Sequence, residues 1–312
     1  MRIGLMILVI FFVVALLGSI GGTSYFYLKS VDSLEQRVYE HLESISQSRA
    51  HHIETFLEQQ KEMIEIAATH QELTFEELKE ITKINEGFHE LSVLDSNGII
   101  ISSSDESNLG LDKSGEEYFI EGIKKTHLRE TPLSEITKKR FIEISTPHNR
   151  GVLVAKIDFT IFDVIVLDKT GLGNTGETYL INKESYSITP LLFIEDPFLE
   201  LKIDTINSRN CLDMLDSPQE IDGEHIGHEA VNIFLDYRGE RVIGSHHPIK
   251  NISWCLLAEM DDEEILYTQK ELFRNISLRV IIIITLIVTL IGHFLGRYLD
   301  KIFALKKGKK RL

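Results

Sequence analysis

Two apolar segments, one near each end of the chain, restrict its fold more than any other feature. Residues 3 to 22 contain no charged side chain, and residues 276 to 296 contain only Arg279 and His293 as ionisable groups. Each is about 20 residues long, the length at which a helix crosses the hydrocarbon core of a bilayer. We therefore predict transmembrane helices at 1–28 and 276–296, with a folded region between them.

The flanking charges predict the orientation of these helices. Lysine and arginine are concentrated in residues 297 to 312, and basic flanks of membrane helices remain in the cytoplasm. We expect a two-pass cell-membrane protein with a basic cytoplasmic tail, a short cytoplasmic N-terminus and an extracytoplasmic main domain. The alternative is signal-peptidase cleavage near Ser19-Ile20-Gly21. Retention as an anchor is favoured because the apolar segment continues past that site into the aromatic residues 25 to 27.

Composition excludes several classes of function. The formal net charge is −15, and nearly all acidic residues lie between the two apolar segments, so nucleic acid is not an expected partner. The sequence contains neither a G-x-S-x-G motif nor a Cys–His arrangement suited to nucleophilic catalysis. We predict a protein that is not an enzyme and that carries no cofactor.

Gly171, Gly173 and Gly176 match the G-x-G-x-x-G pattern of dinucleotide-binding loops. Such a loop requires a helix directly after the glycines, so that backbone N–H groups face the phosphates. Here the residues that follow alternate as in a strand, and Glu177 stands where a P-loop has lysine. We interpret the glycines as a turn between two lobes.

Residues 29 to 74 are predicted to form a stalk helix. Apolar side chains recur there at steps of three and four residues without proline or glycine, a pattern typical of an amphipathic helix. The apolar positions are Leu34, Val38, Leu42, Ile45, Ile53, Phe56, Met63, Ile64 and Ala67. This stripe requires a packing surface, and we predict a parallel homodimer.

The remainder predicts two α/β lobes, distal at 75–165 and proximal at 166–275. The distal lobe shows a hairpin at 89–104, a helix at 115–125 and a strand pair at 140–147 and 151–159. Four strands are clear, and a five-stranded sheet is the simplest arrangement. The proximal lobe shows strands at 177–184 and 253–261, a hairpin at 230–249 and an uncertain strand near 186–193. Cys211 and Cys255 are equally compatible with a disulfide and with two unpaired thiols.

This order of segments resembles the double Cache (dCache) sensor family, over about residues 30 to 275. The resemblance rests on the stalk helix, "SVLDSNGIIISSS", "EEYFIEGI", "GVLVAKIDF", "GLGNTGETYLIN", "YRGERVIGSHHPI" and "WCLLAEMDDEEI", followed by a membrane segment. It implies an α+β fold, with a long N-terminal helix and two tandem PAS-like lobes between two transmembrane helices. It also implies the extracytoplasmic ligand-binding part of a chemoreceptor or sensor histidine kinase.

The chain departs from this family at two ligand-binding positions. Relatives that bind amino acids hold the carboxylate with an arginine at the start of the distal helix, where this chain has Glu116. They hold the ammonium with an aspartate on the last distal strand, where this chain has Lys156. Both charges are inverted, so the usual mode of α-amino-acid binding is not expected. Tyr118 remains as an aromatic wall of the site.

The polar residues available to a ligand on the distal sheet are few. Alternation places Val152, Val154, Lys156 and Asp158 on one face of a strand, and Phe141, Glu143 and Ser145 on one face of its neighbour. Charged residues at such positions are as often solvent-facing as functional. If the face lines a pocket, the ligand-binding residues are Tyr118, Arg140, Glu143, Lys156 and Asp158, and Lys156 favours a carboxylate or another anion.

Two pairs of histidines are the only candidate zinc ligands in the sequence: His225 with His228, and His246 with His247. Both pairs fall at hairpin and loop positions, where histidine side chains are usually solvated, so no metal is predicted.

The predicted function is a membrane-anchored sensor of a small molecule. Relatives continue into a HAMP linker and an output domain, whereas this sequence ends at Leu312. The signal is therefore expected to pass to a separate partner, such as a kinase or chemoreceptor. The alternatives are an accessory, protein-binding subunit without a pocket, and a receptor remnant truncated before its output domain.

Overall fold

The computed structural model describes residues 2–85, 87–130, 140–195, 198–216 and 233–308, and side chains only within 10–298. It consists of two compact units. One combines Met1–Val38 with Asp262–Leu312, and the other is Tyr39–Asp261.

The first unit contains the two predicted membrane segments. Helix α1 spans Arg2–Ala68 and helix α6 spans Asp262–Gly308, and both are long and apolar enough to cross a bilayer. Within this unit the rings of Tyr27 and Phe273 lie 4.5 Å apart, and the Ser30 hydroxyl donates to Gln269 Oε1 at 3.3 Å. The predicted continuity of the last short helix with the second membrane segment is confirmed, since α6 contains both.

The second unit begins with the C-terminal part of α1 and with helix α2, which spans Phe75–Ile84. Thr74 caps α2: its hydroxyl accepts from the backbone N–H of Glu77, whose carboxylate accepts from the backbone N–H of Thr74. This reciprocal arrangement fixes where the second helix begins. The apolar face of α1 is buried here, as the spacing predicts, with Leu42, Ile53 and Ile64 fully buried.

The first sheet is antiparallel and has the strand order β2-β1-β5-β4-β3. Its strands are β1 Phe88–Asp95, β2 Ile100–Ser103, β3 His127–Glu130, β4 Phe141–His148 and β5 Gly151–Asp158. The short edge strand β3 is the fifth strand, which the sequence left unassigned. Helix α3, Glu117–Gly122, lies between β2 and β3 in the chain.

The two faces of this sheet pack against different helices. One face joins a core that contains Leu57, Ile64 and Leu78 of α1 and α2. The other packs under α3, where Tyr118 and Phe119 cluster with apolar residues of the sheet that include Val152 and Val154. A Cβ on Gly122 would approach Ser145 Oγ to 2.5 Å, so only glycine allows α3 to lie this close to β4. The predicted alternation along β5 is confirmed.

The second sheet has the order β6-β9-β8-β7. Its strands are β6 Glu177–Ile181, β7 Ile233–Leu235, β8 Arg241–Ile249 and β9 Trp254–Asp261. Helix α4, Thr160–Leu167, precedes it, and α5, Ile206–Asp216, lies in a region that the sequence showed only as polar. The strand expected near 186–193 is wrong: Tyr186 and Ser187 form only isolated bridges, and β6 pairs with β9 instead.

The glycine motif forms a turn, as predicted. Gly171 and Gly173 have φ values of 79° and 62°, a left-handed conformation that favours glycine. A Cβ on Gly176 would lie 2.1 Å from the carbonyl oxygen of Leu172. Strand β6 follows at once, so no helix N-terminus faces this loop and the geometry of a phosphate-binding loop is absent.

Cys211 and Cys255 form a disulfide, which resolves the alternative that the sequence left open. The bond joins α5 to β9 inside the apolar core of the second sheet. Because a disulfide persists in oxidising compartments, it agrees with a location outside the cytoplasm.

Replacing Cys255 by serine should lower the free energy of unfolding by about 3–4 kcal/mol, since the bond closes a loop with a sequence separation of 44. Chemical denaturation of the detergent-solubilised full chain measures this value. Wild-type protein treated with reductant serves as the control and should show a similar loss. Equal stability of the oxidised wild type and the variant would contradict the bond.

Candidate ligand site in the first lobe

Four charged side chains form a row across the face of the first sheet that packs under α3. Strand pairing sets Glu90 opposite Lys156, Lys156 opposite Glu143, and Glu143 opposite Arg129. The row therefore crosses β1, β5, β4 and β3 with alternating negative and positive charges. Directly opposed side chains in a sheet lie close enough to interact, and opposite charges stabilise such pairs. We call these four residues the charged row.

One half of the row is centred on Glu90. Lys156 Nζ donates to Glu90 Oε2 at 2.8 Å. Its Oε1 accepts from the Ser92 hydroxyl and from Asn108 Nδ2, each at 2.8 Å. Only 10% of the Glu90 side chain is exposed, against 28% of Lys156. The carboxylate is thus covered and fully engaged, whereas the cation is partly accessible to solvent.

The other half is held by the guanidinium of Arg129. Its Nε donates to Glu143 Oε2 at 2.9 Å, and its two outer nitrogens lie 3.3 Å from carboxylates of Glu116 and Glu117 at the start of α3. The Glu143 side chain is 3% exposed, whereas those of Glu116 and Glu117 are 41% and 59% exposed. One ion pair is therefore buried and the other two lie near the surface.

Burial controls the protonation of this site. It raises the pKa of Glu143, and the hydrogen bond and charge of Arg129 and the charge of Lys156 act in the opposite direction. Burial also raises the pKa of Tyr118, with a further contribution from the Glu143 charge. The Tyr118 ring lies 5.5 Å from Arg129 Cζ, so it forms the wall beside the guanidinium.

The structure brings together three of the five predicted site residues: Tyr118, Glu143 and Lys156. Arg140 lies elsewhere, against the Phe159 and Phe198 rings, where it donates to Asp163 and to the carbonyl of Ile188. Asp158 accepts from the backbone N–H and hydroxyl of Thr160 at the start of α4. In this structure those two side chains are engaged in joining elements of the fold.

Sequence reasoning missed Arg129 and Glu90, the two ends of the charged row. Arg129 lies on a strand of four residues, too short for an alternation pattern to show. Glu90 is visible as a charge in an otherwise apolar strand, but its pairing with Lys156 depends on the register of β1 and β5. The outcome is an arginine on β3 that lies beside Glu116 at the start of α3.

The second lobe has a different interior. Glu259 is 2% exposed, and its carboxyl accepts from the Tyr179 hydroxyl and from Asn207 Nδ2, each at 3.0 Å. Burial raises its pKa to about 8, and the charge of Glu177 acts in the same direction. Glu177 lies directly opposite on β6 and accepts from the Tyr237 hydroxyl at 2.6 Å. Hydroxyl and amide groups thus hold these two buried acids, while a third buried acid of this lobe, Asp236, accepts from Arg238 Nε at 2.6 Å.

Within the described ranges, no group of three or more His, Cys, Asp or Glu side chains has the arrangement of a metal site. His246 Nδ1 lies 2.8 Å from Asn207 Oδ1. His225 and His228 lie outside the described residues.

The family model dCache_1, described as a Cache domain, matches residues 30–269, well over half of the chain. No curated protein sequence matches the chain.

Solved structures share the fold. The extracellular domain of soHK1S-Z6 has a TM-score of 0.55 at 13% identity, with 76% of this chain and 98% of that chain covered. The ligand-binding domain of the Pseudomonas aeruginosa PAO1 amino acid chemoreceptor PctB, in complex with L-Arg, has a TM-score of 0.52 at 14% identity, covering 76% and 93%. The domain of PctC from the same organism, with GABA, has a TM-score of 0.50 at 14% identity, covering 72% and 100%.

Replacing Arg129 by glutamine should destabilise the protein by about 3 kcal/mol, because it leaves the buried Glu143 carboxylate without its cation. Adding Glu143→Gln to that variant should recover most of the loss. Urea unfolding of the full chain in detergent measures both values. Arg209→Gln, which breaks an exposed pair with Asp204, should cost no more than about 0.5 kcal/mol. A large, unrecovered loss in the double variant would contradict this role.

Protonation of Glu259 should make stability depend on pH. Its pKa is about 8 when folded, against 4.5 in the unfolded chain, so the folded state binds the extra proton in that interval. The free energy of unfolding should therefore fall as pH rises from 4.5 to 8. Glu259→Gln should flatten the slope in thermal melts of the full chain, whereas the exposed Glu72→Gln should leave it unchanged. Identical slopes in all three proteins would refute the assignment.

Proposed function

Because this chain belongs to the double Cache family, we propose that it is a membrane-anchored sensor that binds a small molecule in its first lobe. The first lobe is the distal lobe of residues 75–165, and the ligand lies against the charged row under α3. Both termini are in the cytoplasm, and the Cache region is outside it, in agreement with the two apolar helices and the disulfide. This is a binding function, not a catalytic one.

The charged row is the observation that supports the proposal. Burying four charged side chains is costly, and a hydrophobic layer of the same volume is often at least as stable. The row lies under α3, within a fold that the chain shares with solved ligand-binding domains. Its two cations are also its more exposed members, with 28% of Lys156 and 17% of Arg129 accessible. A ligand thus meets positive charge first.

The geometry favours a ligand that carries a carboxylate or another anionic group. Among the described residues, the two outer nitrogens of Arg129 are held only by the exposed carboxylates of Glu116 and Glu117, and exposed ion pairs contribute little free energy. An anionic ligand group replaces these two carboxylates and makes a bidentate contact with the guanidinium. Glu143 stays on Nε, and Tyr118 covers the apolar part of the ligand.

Ligand binding then changes the start of α3. Glu116 and Glu117 then lose Arg129 and keep only their contacts with Lys113 and His127, and the arriving anion repels both carboxylates. The first turn of α3 therefore moves away from β3. The same sheet packs through its opposite face against α1. Packed interfaces of this kind settle in discrete arrangements, so a small shift of the sheet is passed to α1. We propose that a homodimer carries the signal across the membrane to a partner protein, a kinase or a chemoreceptor.

A thermal-shift screen of the full chain in detergent tests the proposal, with small carboxylates and zwitterions first and amines as the comparison set. Anionic compounds should raise the melting temperature, and Arg129→Lys, which keeps the charge but loses the bidentate contact, should weaken the effect at least about tenfold in concentration, as loss of one charge-assisted contact predicts. Arg209→Lys, at an exposed arginine of the second lobe, is the matched control. If no compound of any class stabilises the wild type, the accessory-subunit alternative is favoured.

A further inference from the structure

Two neighbouring residues of β3 face opposite sides of the first sheet. Arg129 faces α3 and holds Glu143. Glu130 faces the other way, and its Oε2 accepts a hydrogen bond from Trp254 Nε1 at 3.1 Å. Trp254 is the first residue of β9, in the second sheet. Because successive side chains of a strand alternate, one short edge strand contacts the ligand face on one side and the second lobe on the other.

The contact continues from Trp254 to α1 through aromatic rings. Trp254 is 1% exposed, and its ring centroid lies 5.4 Å from those of Phe159 and Phe162. Phe162 in turn lies 5.8 Å from Phe56 on α1, with the rings nearly perpendicular. Aromatic pairs in this range contribute directional packing beyond the area they bury. Glu130 therefore stands between the charged row and the rings that pack on α1.

We propose that Glu130 is a proton-sensitive junction, a positioning residue that couples the ligand face of the first lobe to α1 through its hydrogen bond with Trp254. Its ionised form accepts from the indole N–H in a charge-assisted bond and holds β3 against β9. Its protonated form accepts more weakly and loosens this edge. The position of β3, and with it Arg129, then depends on the external pH.

The surroundings of Glu130 place the switch in the physiological range. Burial raises its pKa to about 7, the Trp254 bond and the charge of Arg140 oppose the rise, and the charge of Glu184 adds to it. Arg140 is fixed by its ion pair with Asp163, by its bond to the Ile188 carbonyl and by its contacts with two phenylalanine rings. Its contribution is therefore constant, and Glu130 is the group that changes charge.

Trp254 is the only tryptophan in the sequence, so its fluorescence reports this contact directly. The experiment is a pH titration of tryptophan emission in the full chain, in detergent and without ligand. Wild type should show a one-proton change in emission centred near pH 7. Glu130→Gln should lose that change, Glu130→Asp should shift its midpoint, and the exposed Glu72→Gln should match wild type. Far-ultraviolet circular dichroism verifies that each variant is folded.

Absence of the transition in folded wild type, or its persistence unchanged in Glu130→Gln, would overturn the proposal. If Glu130→Gln does not fold, an unshifted midpoint in Glu130→Asp overturns it equally. The link to the ligand face is tested with Arg129→Lys, which keeps the charge but loses the planar guanidinium and its several hydrogen-bond donors. It should alter the emission or its midpoint, whereas Arg209→Lys should not, and identical curves would overturn the link. No ligand is used, so the outcome is independent of the screen for the proposed function.

Discussion

A carboxylate in a protein interior is tolerated only where a cation and hydrogen bonds compensate for its lost hydration, and this requirement organises the first lobe around Glu143. Its side chain is 3% exposed and needs the guanidinium of Arg129. That arginine lies on the edge strand β3, opposite Glu143 in register. The need to neutralise one buried charge thus fixes the position of the strand, and the strand positions both the ligand face and the junction with the second lobe.

The two lobes share an architecture but differ in the groups that stabilise their buried acids. In the first, buried acids are paired with cations that keep some exposure, which suits exchange with a charged ligand. In the second, Glu259 is held by the neutral partners Tyr179 and Asn207 and has a pKa of about 8. The buried Asp236 is paired there with Arg238, whose other carboxylate partner, Asp261, is only 20% exposed. Exchange with a ligand is easiest where the protein's own ion pairs are exposed, and that condition is met at Arg129 and α3. This contrast explains why we assign ligand binding to the first lobe.

Much of the fold could be predicted because its signals are local. Apolar length defines the two membrane segments, three- and four-residue spacing defines the buried face of α1, and alternation defines the inner face of β5. The charge inversions at Glu116 and Lys156 were also visible, because they lie within segments whose order matches the family. The expected strand near 186–193 failed because β6 takes β9 as its partner, 74 to 82 residues further along the chain.

The site was less predictable because strand register assembles it. Lys156 and Glu143 lie on consecutive strands and could be placed together. Glu90 and Arg129 join them only through pairings that no short sequence pattern encodes. Arg140 and Asp158 were plausible by position, but one side chain lies against two phenylalanine rings and the other accepts hydrogen bonds from Thr160. Local periodicity gives the face of a residue within a strand, and long-range pairing decides its neighbours.

Hydrogen–deuterium exchange of the full chain, with and without a stabilising compound, tests most directly the claim that ligand binding at the charged row is transmitted to α1. We expect altered exchange in three places: the start of α3 near Glu116, strand β3, and the part of α1 around Phe56. Changes confined to the second lobe, or to α3 with none in β3 or α1, would contradict it.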